Sequence, residues 1–263
     1  MQLVELQETV ATSESAVYAL SYDSVEVLSA FAEEKGITYR MLSDVGSIAI
    51  RDLGLLNANI TGDQEYWGFG YRQDLHEGLP YPGTFVLDER GVIIEKHMDR
   101  DYKLRSSGGV LLEELGLSHP RSSPSTASGL GAVLAVWTDE EAYFPQQEGA
   151  IRIRLQVEDG LHVYVPPNPD GYINVLVSID APAGVLRGKA SLPDGHPFQV
   201  EGLKEEFTVA EGTIAFDVAF RLVEGTGPAE VAVSVSYQAC SDSECLVPAT
   251  LTAAVTIGER ERV

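Results

Sequence analysis

Apolar residues recur along the chain with two different periods. Over 229–237, Val231, Val233 and Val235 alternate with Ala232, Ser234 and Ser236, the period of a strand with one buried face. Ile151, Ile153, Leu155 and Val157 alternate in the same way with Arg152, Arg154, Gln156 and Glu158. Further strands separated by Gly and Pro turns are predicted over 132–138, 161–165, 172–180, 185–191, 207–210, 213–223 and 250–257. Many short alternating strands without helices indicate an all-β sandwich.

The first half reads differently. Residues 1–10 carry Leu3, Val4, Leu6 and Val10 at helical spacing, and 16–22 is an apolar, strand-like run. A helix follows, with Asp23 as its expected cap, Glu26 completing a capping box, Val27, Leu28, Phe31 and Ala32 as its inner face and Gly36 at its end. A second helix is expected from a cap at Ser43 or Asp44 to Gly54, and a polar, aromatic loop over 57–79 (Tyr66, Trp67, Phe69, Tyr71). A hairpin over 80–97, turning at 89–91, precedes a last helix over 107–115 that Gly116 ends. This alternation predicts an α/β domain. The expected organisation is therefore 1–117 α/β, 118–131 a linker rich in Ser, Pro and Gly, and 132–263 the sandwich.

With 263 residues, 44% of them hydrophobic, the chain can fill two cores of ordinary domain size. A net charge of −22 argues against binding nucleic acid or anionic lipid, and no apolar run approaches a membrane span. Residues 1–8 have neither the basic start nor the apolar centre of a signal peptide, so no export signal is expected. The five histidines, His76, His97, His119, His162 and His196, show no metal-ligand spacing, and no phosphate-cradling glycine loop or serine elbow is present. Neither a cofactor nor a metal is expected.

Redox chemistry, if present, must fall to Cys240 and Cys245, which are the two cysteines of the chain. They flank Ser241-Asp-Ser-Glu244, a polar turn between the strand that ends at Tyr237 and the one that starts near Thr250. On such a hairpin they lie opposite each other at a Cα separation of roughly 4.5–5.5 Å, which a disulfide can span. Three readings stay open. A structural staple over so short a ring is worth only about 2 kcal/mol. A zinc site would need four ligands, and no histidine is near the pair in sequence. An exchange-active pair would be a passive one, because Asp242 and Glu244 disfavour a neighbouring thiolate.

The run Tyr237-Gln-Ala-Cys240, followed after four residues by Cys245-Leu-Val-Pro248, resembles the N-terminal periplasmic domain of the thiol:disulfide interchange protein DsbD. The likeness extends to Gly160-Leu-His-Val-Tyr164, Asn168-Pro-Asp-Gly-Tyr172 and Phe198-Gln-Val-Glu-Gly202. It implies an immunoglobulin-like sandwich and disulfide exchange at Cys240 and Cys245 with a thioredoxin-like partner. Tyr237 and Pro248 would then flank the pair and face that partner, and the likeness points outside the cytoplasm.

In the first half, Pro82-Gly-Thr-Phe-Val-Leu-Asp88 resembles the cis-proline strand of thioredoxin-like redoxins of the alkyl hydroperoxide reductase and thiol-specific antioxidant type, a peroxiredoxin branch. The runs Tyr18-Ala-Leu-Ser-Tyr-Asp23 and Gly36-Ile-Thr-Tyr-Arg-Met-Leu-Ser-Asp44 fit the same branch. Pro82 is implied as a partner-facing residue. That family carries a central strand and a catalytic cysteine turn before the first helix. The chain opens within that helix and has no cysteine in this half, so an incomplete thioredoxin-like domain without peroxidase activity is expected. If the start is truncated, in-frame codons upstream should encode the strand and turn; an immediate stop codon would contradict that.

These readings converge on a thiol:disulfide oxidoreductase that passes electrons between the Cys240–Cys245 pair and a thioredoxin-like protein or its own thioredoxin-like domain. The alternatives are a non-catalytic binding module with a structural disulfide, and a peroxiredoxin-type enzyme whose catalytic segment lies outside this chain.

Overall fold

A computed structural model describes residues 2–60, 76–98, 105–119, 121–191, 193–199 and 206–261. The aromatic loop residues Tyr66, Trp67, Phe69 and Tyr71 lie outside the described residues. The chain divides into two compact units, Met1–His119 and Pro120–Val263.

The first unit contains α1 (Gln2–Ala11), β1 (Tyr18–Ser21), α2 (Val25–Lys35), β2 (Arg40–Ser43), α3 (Ile48–Asp52), β3 (Gly83–Leu87), β4 (Ile93–Met98), β5 (Arg105–Ser106) and α4 (Gly108–Glu114). Strands β1 and β2 pair in parallel, with α2 as the crossover, whereas β3 and β4 form an antiparallel hairpin. The two pairs are separate two-stranded sheets. Helix α2 is capped by Ser24, one residue later than expected, whose Oγ accepts the Val27 N–H at 3.4 Å. Asp23 instead accepts the Ser21 hydroxyl. Gly36 ends the helix in the left-handed region, at φ 64°, a conformation that costs a residue without a Cβ nothing.

Residues 43–54 hold less helix than expected. Arg40–Ser43 is a strand, and the helix is confined to Ile48–Asp52. Asp44 serves as the cap, accepting the N–H groups of Ile48, Ala49 and Ile50 at 3.0, 3.1 and 2.9 Å. These bonds, led by the one from Ile50, hold its carboxyl below the usual carboxylate range.

The second unit is β throughout: β6 (Ser125–Gly129), β7 (Ala132–Thr138), β8 (Ala142–Tyr143), β9 (Gln147–Val157), β10 (His162–Tyr164), β11 (Leu176–Asp180), β12 (Val185–Arg187), β13 (His196–Gln199), β14 (Glu206–Glu211), β15 (Thr213–Leu222), β16 (Ala229–Tyr237), β17 (Ala239–Cys240) and β18 (Ala249–Glu259). Its strands order as β12-β15-β9-β7-β6 in one sheet, β11-β16-β18-β8 in a second and β13-β14-β10-β17 in a third. The alternating residues meet in one core: Leu134, Ile151, Ile153, Leu155, Val218, Val231, Val233 and Val235 are all fully buried within it. The intervening polar residues form ladders outside it, such as Ser234 with Thr252 at 2.9 Å and Ser236 with Thr250 at 2.8 Å.

One expectation is corrected here. Ser125–Gly129, within the stretch read as a linker, is an edge strand paired with β7. Small polar residues with glycine carry no apolar alternation, yet an edge strand needs only backbone pairing.

Candidate functional site

The site is built where the chain leaves one sheet for another. Strand β16 pairs with β18 as far as Tyr237↔Ala249. Beyond it Leu246 N–H donates to Ala239 O at 2.8 Å, and Cys240 bridges Cys245. Val247 and Pro248 together therefore oppose the single residue Gln238, which is a bulge. Proline suits that place because no ladder bond is asked of its nitrogen. After the bulge, Ala239 and Cys240 pair with β10 in the third sheet, Val163↔Ala239 and His162↔Cys240.

The turn organises itself. Ser241 Oγ accepts the N–H groups of Ser243 and Glu244 at 3.3 and 3.1 Å, and Ser241 N–H donates to Glu244 O at 2.8 Å. Backbone bonds at 239/246 and 241/244 leave Cys240 and Cys245 as the non-hydrogen-bonded pair between them, the position where strands approach most closely. The two sulfurs form a disulfide, with the Cα atoms 4.0 Å apart.

The two ends of that disulfide differ sharply. Cys245 is exposed beside the exposed Asp242 and Glu244. Cys240 is 1% exposed and sits in a second, smaller core with Tyr164, Phe207 and Val209, flanked by Tyr172 and Phe198. The rings interlock: Tyr172 lies 4.5 Å from Phe207 and 5.2 Å from Tyr164, and Phe198 lies 4.4 Å from the His162 ring. Register explains the grouping. His162 and Tyr164 on β10, Phe207 and Val209 on β14 and Cys240 on β17 share one face of the third sheet, while Val163, Ala210 and Ala239 on the other face join the main core. Asn168 pins the adjoining loop, donating to the carbonyls of Val165 and Thr208 and accepting the Thr208 N–H at 2.8 Å.

His162 was not singled out as a site residue in the sequence, where it stands 78 positions before Cys240. It is 3% exposed, and its Nε2 has no hydrogen-bond partner among the described residues. Burial pushes its pKa below the usual histidine value, against the opposing pull of Glu211 and Asp242. The signal available in the sequence was its place, with Tyr164, in the Gly160–Tyr164 run.

Tyr237 is buried. It has the parity of Val231, Val233 and Val235, so it points into the main core, 1% exposed, and its hydroxyl donates to Leu130 O at 3.0 Å. Pro248 is exposed on the bulge, one residue from the exposed Val247. Pro82 belongs to the first unit and is half-buried at the start of β3. Its peptide bond is trans; the cis bond among the described residues is Pro166–Pro167.

Residues 134–257 match the family described as "Thiol:disulfide interchange protein DsbD, N-terminal", and residues 1–96 match the AhpC/TSA family. No curated protein sequence matches the chain. Among solved structures, the N-terminal periplasmic domain of ScsB from Proteus mirabilis is 14% identical at a TM-score of 0.36, over 52% of this chain and 51% of that one. The chain thus spans about half the length of that ScsB domain. The reduced N-terminal domain of DsbD from Neisseria meningitidis is 18% identical at a TM-score of 0.29, over 51% and 84% of the two chains. A complex of the DsbD and PilB N-terminal domains from the same organism gives 17% identity and a TM-score of 0.26, over 50% and 79%. The chain is thus similar to AhpC/TSA redoxins over 1–96 and to the DsbD N-terminal domain over 134–257, and the disulfide lies within the second match.

Proposed function

We propose that the protein is a thiol–disulfide exchange protein that passes electrons through Cys240–Cys245 to or from a thioredoxin-like partner, either a separate protein or its own redoxin-type unit. The observation that carries this reading is the asymmetry of the disulfide. Cys245 stands exposed on a tight polar turn, open to an incoming thiolate, while Cys240 is held in an aromatic pocket. The attacking sulfur bonds to Cys245 Sγ, the Cys240–Cys245 bond breaks, and its electron pair leaves on Cys240. A second thiol of the partner then attacks the partner's own sulfur and releases Cys245. The reverse sequence oxidises the partner.

The two separate sheets of the first unit support a further part of the proposal, that this unit is an incomplete redoxin fold. A strand between β1 and β3 would join the two pairs into one sheet, and Tyr18, Leu20 and Leu42 on the existing pair are exposed. Such a unit would bind or dock a partner.

The test is the reduction potential of Cys240–Cys245, measured by alkylation and mass spectrometry across thiol buffers. A value between about −120 and −270 mV is expected for an exchange couple, and one below about −300 mV would mark a structural bridge.

A further inference from the structure

We propose that His162 is the proton donor and acceptor for Cys240, holding the proton that the buried sulfur gains when the disulfide opens and loses when it closes. The inference rests on the exchange reading of Cys240–Cys245 and adds a residue to it.

Three observations carry it. His162 and Cys240 are directly opposed on the antiparallel pair β10/β17, so both side chains leave the same face with Cβ atoms roughly 4.5–5.5 Å apart. Both are buried. And His162 Nε2 has no hydrogen-bond partner among the described residues in the disulfide form, although nearly all buried polar atoms in folded proteins find one. A histidine kept for packing alone would be served as well by phenylalanine, the residue already packed against it at position 198. What the pocket lacks while Cys240 is oxidised is a sulfur able to hydrogen-bond. Reduction creates one: a Cys240 thiol can donate to the bare ring nitrogen, and a Cys240 thiolate can accept from it once protonated.

The groups that face the ring set its charge. Glu211 on β14 is its cross-strand neighbour on the other side, His196 on β13 lies 3.7 Å from Glu211, Asp242 is in the cysteine turn, and Tyr164 shares its own strand. Glu211 and Asp242 favour a protonated ring; burial and His196 oppose it.

The step balances without another reactant. A partner thiol loses its proton and attacks Cys245 Sγ. One S–S bond forms to the partner, the Cys240–Cys245 bond breaks, and the electron pair goes to Cys240. The proton lost by the attacking thiol reaches Cys240 through His162. In reverse, His162 takes the Cys240 proton, the thiolate attacks Cys245 Sγ in the mixed disulfide, and the partner leaves as a thiol.

The experiment uses the full chain, with dithiothreitol to reduce the disulfide and, after its removal, oxidised glutathione (glutathione disulfide) to form a mixed disulfide on Cys245. The rate at which Cys240 displaces glutathione is followed from pH 5 to 9 in the wild type, H162F and H162Q. Both variants should be slowed about a hundredfold near neutral pH and should approach the wild type at high pH, where Cys240 ionises unaided. H162Q retains a polar, hydrogen-bonding side chain and guards against a folding defect in H162F, since neither glutamine nor phenylalanine titrates. Wild-type rates in either folded variant, or a uniform slowing with an unchanged pH profile, would overturn the role. A wild type that neither dithiothreitol nor glutathione opens would overturn the exchange reading instead.

Discussion

The two units distribute their apolar residues in opposite ways. In the second, long strands pair on both sides, and alternate residues from facing sheets disappear into one core. In the first, strands β1 to β4 form two separate pairs among the described residues, and Tyr18, Leu42, Val45 and Ile48 remain between 46% and 67% exposed. Backbone pairing in two-stranded sheets and a handful of buried side chains, among them Val10, Leu28, Ile50, Leu55, Val86 and Leu112, hold the first unit together. A pair of strands is marginal without a further layer. The contrast teaches where chemistry can be placed: a strained or reactive group needs surroundings stable enough to hold it, and the disulfide lies in the unit with the large core.

The sharpest way to break this comparison is to move the chemistry. Cys245→Ser and Cys240→Ser should each abolish thiol exchange while far-ultraviolet circular dichroism stays that of a folded β protein. Exchange retained by either variant, assayed by reduction of a dithiol partner, would remove the chemistry from the second unit. The next effect concerns stability. Leu134→Ala, at a fully buried position in the main core, should cost about 2–5 kcal/mol in urea unfolding. Leu42→Ala, on an exposed strand of the first unit, should change stability by no more than about 0.5 kcal/mol. Equal costs would mean that the first unit is as tightly built as the second.

Acid should separate the units as well. The folded-state pKa of His162 is lowered by burial, so the unfolded chain binds its proton first. Stability from this group is full above the unfolded value of about 6.5 and declines as pH falls below it. Asp44 is also lowered, by the N–H groups it caps. Its contribution is present above the unfolded value of about 3.9 and is lost as pH falls through the folded value. Hydrogen exchange should therefore show the second unit loosening at a higher pH than the Asp44 cap, with H162F flattening the first window and D44N the second. The smallest effect lies on the turn. Replacing Asp242 and Glu244 together by Asn and Gln should raise the alkylation rate of reduced Cys245 by a few-fold, because two carboxylates no longer oppose the thiolate.

Much of this molecule was legible in local pattern. Period-2 alternation located Ala132–Thr138 and Ala229–Tyr237 to the residue, and the polar turn between the cysteines placed them on opposite sides of a hairpin. The short strands Ala142–Tyr143, His196–Gln199 and Ala239–Cys240 were not legible, because two to four residues show no period and pair only through neighbours far along the chain. The cap of α2 was displaced by one residue, since Asp23 and Ser24 are both able caps and backbone geometry chooses between them. The inward direction of Tyr237 was legible in the parity it shares with the three valines.

Sequence by itself determined the two periods, the change from α/β to β, the cysteine hairpin and the acidic surface, all of which depend on residues near one another in the chain. Tertiary structure alone decided that Cys240 is buried and Cys245 exposed, and that His162, Tyr164, Tyr172, Phe198 and Phe207 gather around the buried sulfur. The reason is register. Which residues share a sheet face is set by backbone pairing between strands tens of residues apart: a one-residue bulge at Val247-Pro248 shifts the register of the cysteine pair, Cys240 is covered where it pairs with β10, and Cys245 lies beyond it at the edge.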